Sequence, residues 1–333
     1  MREAPTIAFV AFLLQQVPGV GVVTLRSVLA RMAREKLSPE AFLRLDDHTL
    51  SSRYGLKPPA ITAIRHPTQA TLETWDRLRT DFVRVLVLGQ REYPQRLASL
   101  LLDTAPPILF ALGNLDICKQ RAVGFCGSRK ASPKGLQVAR ECASILAAAD
   151  VNVVSGYAHG VDLAAHRAAL ESGGVTTMVL AEGIHHFRLK EEIRDLVHAN
   201  EFSRLLVISE FPPGLPWRAH NAMTRNRTIC GLSHAMIVVE SGLEGGTFEA
   251  GKTALELGEP LFCVDYAQPS PSAAGNPYFL QHGAFSLKRD RAGKPNLSRV
   301  LSIIQNGSTP NIKTDTQAEL VLREEAASDG AGV

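Results

Sequence analysis

The sequence predicts an α/β fold: a three-layer sandwich with a mainly parallel sheet, preceded by a small all-helical domain. Three observations carry this. Between about residues 120 and 264, short apolar runs that end in glycine-rich turns alternate with helical patterns, as βαβ units do. Residues 1 to about 80 read instead as a separate helical domain, with turns at the KPP and RHP stretches. The 333-residue length is enough for a sizeable core and two domains.

The apolar stretch Ile7 to Leu14 is too short to span a bilayer, and the start MREAPTIAFVAFLLQQVPGVG lacks a signal cleavage site. It is predicted to form the first core helix. Pro18-Gly19-Val20-Gly21, between Leu13-Leu14 and VVTLRSVLARM, matches a helix-hairpin-helix turn. Its glycine amides can touch a DNA phosphate, and a purely packing role fits as well. Val83 to Leu88 then begins the sheet domain.

Arg121 to Cys126 reads as a buried strand, Gly127-Ser128-Arg129 as its turn, and Pro133 as the start of the next helix. Five basic residues and no acidic one lie between Lys119 and Lys134. A solvated face has the same composition. This run sits at the carboxyl end of a strand, where open α/β sheets bind ligands, so Arg129 and Lys130 are expected to face a phosphate.

The segment Val153 to Leu170, VVSGYAHGVDLAAHRAAL, repeats the design. A strand ends at Ser155-Gly156, and a turn containing His159 and Gly160 feeds a helix. Exposed amides and the positive end of the helix dipole suit an anion there. Asp162 and His166 are four residues apart and share one helix face. No cysteine or second carboxylate follows at ligand spacing. His166 is therefore expected to bond within the fold and steady the turn, and Asp162 to anchor its own loop amides or an arginine. His185, His186 and His220 are expected at the surface or in the groove.

In residues 225 to 264, Arg225-Asn226-Arg227 is predicted to open a short helix before a strand from Ala235 to Glu240. Gly245-Gly246-Thr247 opens another helix, and the strand Pro260 to Val264 follows. Guanidiniums suit phosphate oxygens and stack on bases. The alternative is a structural arginine pair bonded to carbonyls or to Glu210 and Glu240. Three glycine-rich corners with arginines at one sheet edge favour the ligand. From about residue 290 the composition shifts, so 291–333 is expected to be a tail, its last twenty or so residues loosely ordered.

The net charge is only +3, so nucleic-acid binding has to come from a local patch. The five cysteines, at 118, 126, 142, 230 and 263, show no paired spacing. Cys126, Cys230 and Cys263 are expected as buried thiols, with no zinc site and no cofactor. The composition fits a soluble cytoplasmic protein.

Taken together, REYPQRLASLLLDTAPPILFALGNLD (91–116), GSR (127–129), SGYAHGVDLAAH (155–166), SEFPPG (209–214), RNRTICGLS (225–233) and GNPYFLQHGA (275–284) resemble the DprA/Smf DNA-processing family. The resemblance implies an extended Rossmann-like domain over residues 81–290 that binds single-stranded DNA. It also implies a homodimer that helps load a RecA-type recombinase. The expected groove carries Arg129, Ser155-Gly156, Arg188, Lys190, Arg225 and Arg227. The family's Tyr-Pro is missing from GIHHFRLKEEIRDLVHAN (183–200), although Arg188 and Lys190 keep the charge. Its Ser-Gly-Ser turn is replaced by Gly245-Gly246-Thr247, and the segment after the sheet is too short for the winged helix of many members.

The main rival is a phosphoribohydrolase-like nucleotide hydrolase with a Gly-Gly-x-Gly-Thr-x-x-Glu pattern. Aligning Gly246-Thr247 with it puts Ala250 at the catalytic Glu. Glu249 is one residue away, about 100° round the helix. A sensor that binds a nucleotide without turnover is the third reading. The carboxylates expected near the pocket are Asp162, Glu210, Glu240 and Glu249, none paired for catalysis, so no turnover is expected.

Overall fold

The computed structural model describes residues 4–197 and 202–306. The first helix, α1 (Ile7–Gln15), is capped by the Thr6 hydroxyl and buries Val10 to Leu14 on all sides. A helix apolar all round must be central, and α1 packs against its neighbouring helices and the first strand. The Pro18–Gly21 turn bends at Gly19, at φ 89°, into α2 (Val22–Arg34). Short helices α3 (Pro39–Arg44), α4 (Asp47–Ser52), α5 (Pro58–Arg65) and α6 (Gln69–Thr80) follow. Ser38, Asp46 and Thr68 cap α3, α4 and α6, and proline opens α3 and α5, so local chemistry fixes their starts.

The sheet begins with β1 (Arg84–Val87), then α7 (Gln95–Leu101) and β2 (Ile108–Gly113). Alternation follows: β3 (Ala122–Cys126), α8 (Pro133–Ala148), β4 (Asn152–Ser155), α9 (Val161–Glu171), β5 (Thr176–Val179), α10 (Glu191–Arg194) and β6 (Leu205–Ser209). The last units are α11 (Ala219–Leu232), β7 (Ala235–Val238), α12 (Gly246–Glu256), β8 (Leu261–Val264), α13 (Asn276–Gln281), β9 (Phe285–Leu287) and α14 (Ser298–Gln305).

The strand order is β1-β2-β6-β5-β4-β3-β7-β8-β9, antiparallel at β1–β2 and β2–β6 and parallel elsewhere. The expected mainly parallel sandwich is thus observed. The residues of β3 to β8 are buried throughout, because helices cover both faces. On one face α8, α9 and α14 cover the centre, and the helical segment covers the β1–β2–β6–β5 side. On the other lie α7, α11, α12 and α13. Phe12 and Phe42 share one buried cluster with Ile108, Phe110 and Val207, so the helical segment is docked on the sheet by a common core.

Two expectations are corrected. Arg225-Asn226-Arg227 does not open a short helix but lies within α11, which starts at Ala219. No glycine or proline interrupts that stretch before Gly231, and its inward stripe is the polar set Asn221, Arg225 and Thr228, invisible to an apolar-periodicity reading. The expected tail from residue 291 includes α14, whose Val300 and Ile304 are buried against the sheet. The last twenty or so residues lie outside the described residues. No helix among the described residues is long and apolar enough to cross a membrane.

Candidate nucleic-acid interface

A pocket of about 440 Å³ lies over the carboxyl ends of β3, β4 and β5. Its walls come from three turns and one loop, and each turn is held by backbone constraints. In the turn after β3, Gly127 packs where any Cβ would strike Val161, which lets α9 approach. Ser128 donates its N–H to the Glu240 carbonyl (2.8 Å), and its hydroxyl accepts from Lys130 N–H (3.1 Å). Arg129 projects free of this lattice. Its guanidinium carbon stands 5.4 Å from the centre of the exposed Trp217 ring, which comes from the loop before α11.

In the turn after β4, buried Ser155 donates to the Phe125 carbonyl (2.8 Å), tying β4 to β3. Gly160 has φ 80°, and a Cβ there would meet the carbonyls of Ser128 and Arg129, so the two turns touch back to back. Gly156 lies under the Arg225 guanidinium, which fills the space a side chain would need. Asp162 accepts from Ala158 N–H (3.3 Å), the first of the two alternatives expected of it, and its charge lies close enough to Arg225 to act on it.

Arg225 forms the floor. It is 6% exposed, it lines the pocket, and its Nε has no hydrogen-bond partner among the described residues. Asp162 and Glu210 flank it, and Glu210 accepts from the Thr228 hydroxyl (2.7 Å). Burial pushes both carboxyls above the ordinary range, and Arg225 opposes this in each.

The segment after β5 is laced to the SEFPPG loop. Gly183 donates to the Leu215 carbonyl (2.8 Å), His185 to that of Pro213 (3.1 Å) and the Ser209 hydroxyl to that of Glu182 (2.6 Å). Exposed Arg188 donates to the carbonyls of His185 (3.0 Å) and Phe187 (2.6 Å). Lys190 places its ammonium 4.4 Å from the centre of the Tyr157 ring and donates to the Tyr157 carbonyl. Tyr157 is held at φ 60° and donates its hydroxyl to the Arg188 carbonyl (3.1 Å). Burial pushes that phenol up to about 12 and lowers the Lys190 ammonium from its usual value.

Of the residues expected at the site, Arg129, Gly156, His159, Arg188, Lys190 and Arg225 line this pocket. Gly127, Ser128, Ser155, Gly160 and Asp162 shape its turns from behind. His186 lines it as well, while His220 is exposed elsewhere. Arg225 and Arg227 are not neighbours in one groove. Two residues along a helix is about 200° of rotation, so Arg227 leaves the opposite side of α11 and donates to the Thr104 hydroxyl (3.1 Å). Asn226 donates to the Gly246 carbonyl (3.0 Å), joining α11 to α12, and Gly245-Gly246-Thr247 lie outside the pocket.

The start of α8 is also occupied otherwise than expected. Glu240, 1% exposed, accepts from Ser132 N–H (2.8 Å) and from the hydroxyls of Ser132, Ser270 (3.2 Å) and Ser272 (2.8 Å). This is the β3–β7 crevice, where strand order reverses and open α/β sheets commonly take a ligand. Here the anion is the protein's own carboxylate, so Glu240 is neither a pocket residue nor a partner of Arg225. Glu249 stands 3.5 Å from Lys252, and Ala250 is buried.

His166 is fully buried and bonds within the fold. The Thr176 hydroxyl donates to the Val153 carbonyl (2.7 Å), which leaves His166 Nδ1 as the donor to Thr176 (2.7 Å). Burial drives its pKa down to about 3, so it stays neutral. Its bond reaches β5, not the turn it was expected to steady. Cys126, Cys230 and Cys263 are buried and free as expected, and no metal-holding group occurs among the described residues.

The sequence reading missed Tyr157, Glu182, Phe187 and Trp217, all of which line the pocket. Glu182 was within reach, standing three residues past a strand end at the ligand edge. An aromatic in a proline-rich loop, such as Trp217, was a second available signal.

Residues 84–292 match the sequence model of the family described as DNA recombination-mediator protein A. The chain belongs to this family. The putative DNA processing protein DprA of Mycobacterium tuberculosis is 38% identical over 195 residues, covering 56% of this chain and 48% of that protein. The chain thus spans about half the length of that relative. Protein Smf of Escherichia coli K12 is 34% identical over 230 residues, 69% of this chain and 61% of that one. Among solved structures, DNA processing protein A from Streptococcus pneumoniae matches with a TM-score of 0.69 and 26% identity, covering 85% of this chain and 95% of its own. The Helicobacter pylori protein, solved for its single-stranded DNA binding mode, shares the fold at a TM-score of 0.53 and 21% identity over 67% of this chain and 94% of that one.

Proposed function

We propose that this protein binds single-stranded DNA in the pocket over β3, β4 and β5. We further propose that it hands the strand to a RecA-type recombinase, acting as a cytoplasmic homodimer without turnover. The observation that carries the reading is the union of cations and aromatic faces in one concave site. Arg129, Arg188 and Lys190 supply charge for phosphates, and the exposed Trp217 ring offers a stacking face that every base can use. Membership of the DNA recombination-mediator family and the single-strand binding of the H. pylori relative support it. The absence of turnover is supported by Ala250 at the hydrolase glutamate position and by Glu240 filling the β3–β7 crevice. Titration of a labelled single strand and its duplex against the purified protein tests the reading. Tighter binding of the single strand is expected, and equal or tighter duplex binding would refute it.

A further inference from the structure

The pocket contains one feature that phosphate binding does not use. Among the described residues lining it, Glu182 is the one carboxylate, set among Arg129, Arg188, Lys190 and Arg225. A negative charge there opposes a phosphate. The side chain accepts no hydrogen bond and pairs with no cation within 4 Å among the described residues, although its backbone is pinned through Ser209 and Gly183. Burial pushes the Glu182 carboxyl above the ordinary carboxylate range, and the facing His186 and Lys190 oppose that rise. An ionised carboxylate only accepts hydrogen bonds, so its ligand must present N–H groups.

We propose that Glu182 makes this pocket selective for guanine by accepting hydrogen bonds from the Watson–Crick edge of an unstacked base. Guanine alone among the DNA bases carries two adjacent donors on that edge, N1–H and the N2 amine, which match the two oxygens of a carboxylate. Thymine offers one N–H between two carbonyl oxygens, which a carboxylate repels. Adenine and cytosine each offer one amine beside a bare ring nitrogen. Bases held out of a strand are read at this edge while they stack on an aromatic ring, and Trp217 stands exposed at the mouth. The inference rests on the single-strand reading above and adds base selectivity to it.

The test uses thymidine heptamers with guanosine, inosine, adenosine, cytidine or thymidine at the centre, titrated by fluorescence anisotropy against the full chain and Glu182→Gln. The guanosine heptamer is expected to bind about tenfold more tightly than the all-thymidine one. Inosine, which lacks the N2 amine, falls between them. In Glu182→Gln the guanosine advantage collapses, and the thymidine heptamer binds more tightly because a charge opposing phosphate has gone. A misfolded variant would not bind more tightly. Equal affinities across the five heptamers, or a guanosine advantage that survives in Glu182→Gln, overturns the base-reading role and leaves single-strand binding standing. Failure of every heptamer and of longer single strands to bind overturns both.

Discussion

Replacing Arg225 with alanine tests the floor of the pocket and the electrostatics of the turns around it. Arg225 is buried between Asp162 and Glu210 and packs over Gly156. Removing it leaves the buried Asp162 and the half-buried Glu210 without their opposing guanidinium. Neither carboxyl comes within 4 Å of the guanidinium, so the loss falls below the about 3–5 kcal/mol that breaking a close buried ion pair costs. Asp162 can relieve part of this by taking up a proton, so the expected loss at neutral pH is about 2 kcal/mol. The pH dependence follows from the same group. Burial already raises the Asp162 carboxyl, Arg225 opposes the rise, and the variant loses that opposition. Its native state then holds a proton over a range in which the unfolded chain has released it. Stability falls with rising pH wherever the native state binds more protons. The loss should therefore be full at high pH and fade as the pH drops toward the ordinary carboxylate range. Urea unfolding at pH 7.5 and pH 5.5, followed by circular dichroism, measures it. Adding Asp162→Asn to Arg225→Ala should recover part of the loss at the higher pH and little at the lower. A loss below about 1 kcal/mol that is the same at both pH values and untouched by Asp162→Asn would refute the argument.

Arg129→Ala should weaken single-strand binding by about tenfold and leave the melting temperature unchanged, since Arg129 is exposed and touches Trp217 across one cation–π contact; anisotropy and thermal melts decide. The logarithm of the single-strand binding constant should fall linearly with the logarithm of salt, with a slope of about 0.7 per phosphate contacted, read by titration from low to physiological salt. Incubation with nucleoside monophosphates should release no base above background by chromatography, and Glu249→Gln should change nothing, because Glu249 lies beside Lys252 away from the pocket lining.

The turns after β3 and β4 were legible because glycine, serine and arginine at a strand end carry their own geometry. Gly160 needs its positive φ, and Pro133 with Ser132 fixes where α8 begins. The pairing of Asp162 with His166 on one helix face followed from helix periodicity alone. The arginines of α11 were misplaced for the opposite reason. Their sequence adjacency suggested one patch, and only the observed start of the helix at Ala219 shows that Arg225 faces inward and Arg227 outward.

By itself the sequence determined the alternation of strands and helices and the glycine-rich turns after β3 and β4, which are written in local periodicity and turn chemistry, and its motifs in order determined the family to which the chain belongs. Tertiary structure alone decided which charges meet. Glu240 finds Ser132 from 108 residues away and closes the β3–β7 crevice. Trp217 reaches Arg129 only because the SEFPPG loop is bonded to the segment after β5. Glu182 becomes a pocket carboxylate because β5 ends beside β4. Local rules fix what a residue can offer to a partner, but the partner itself comes from distant chain brought near by the packing of the sheet.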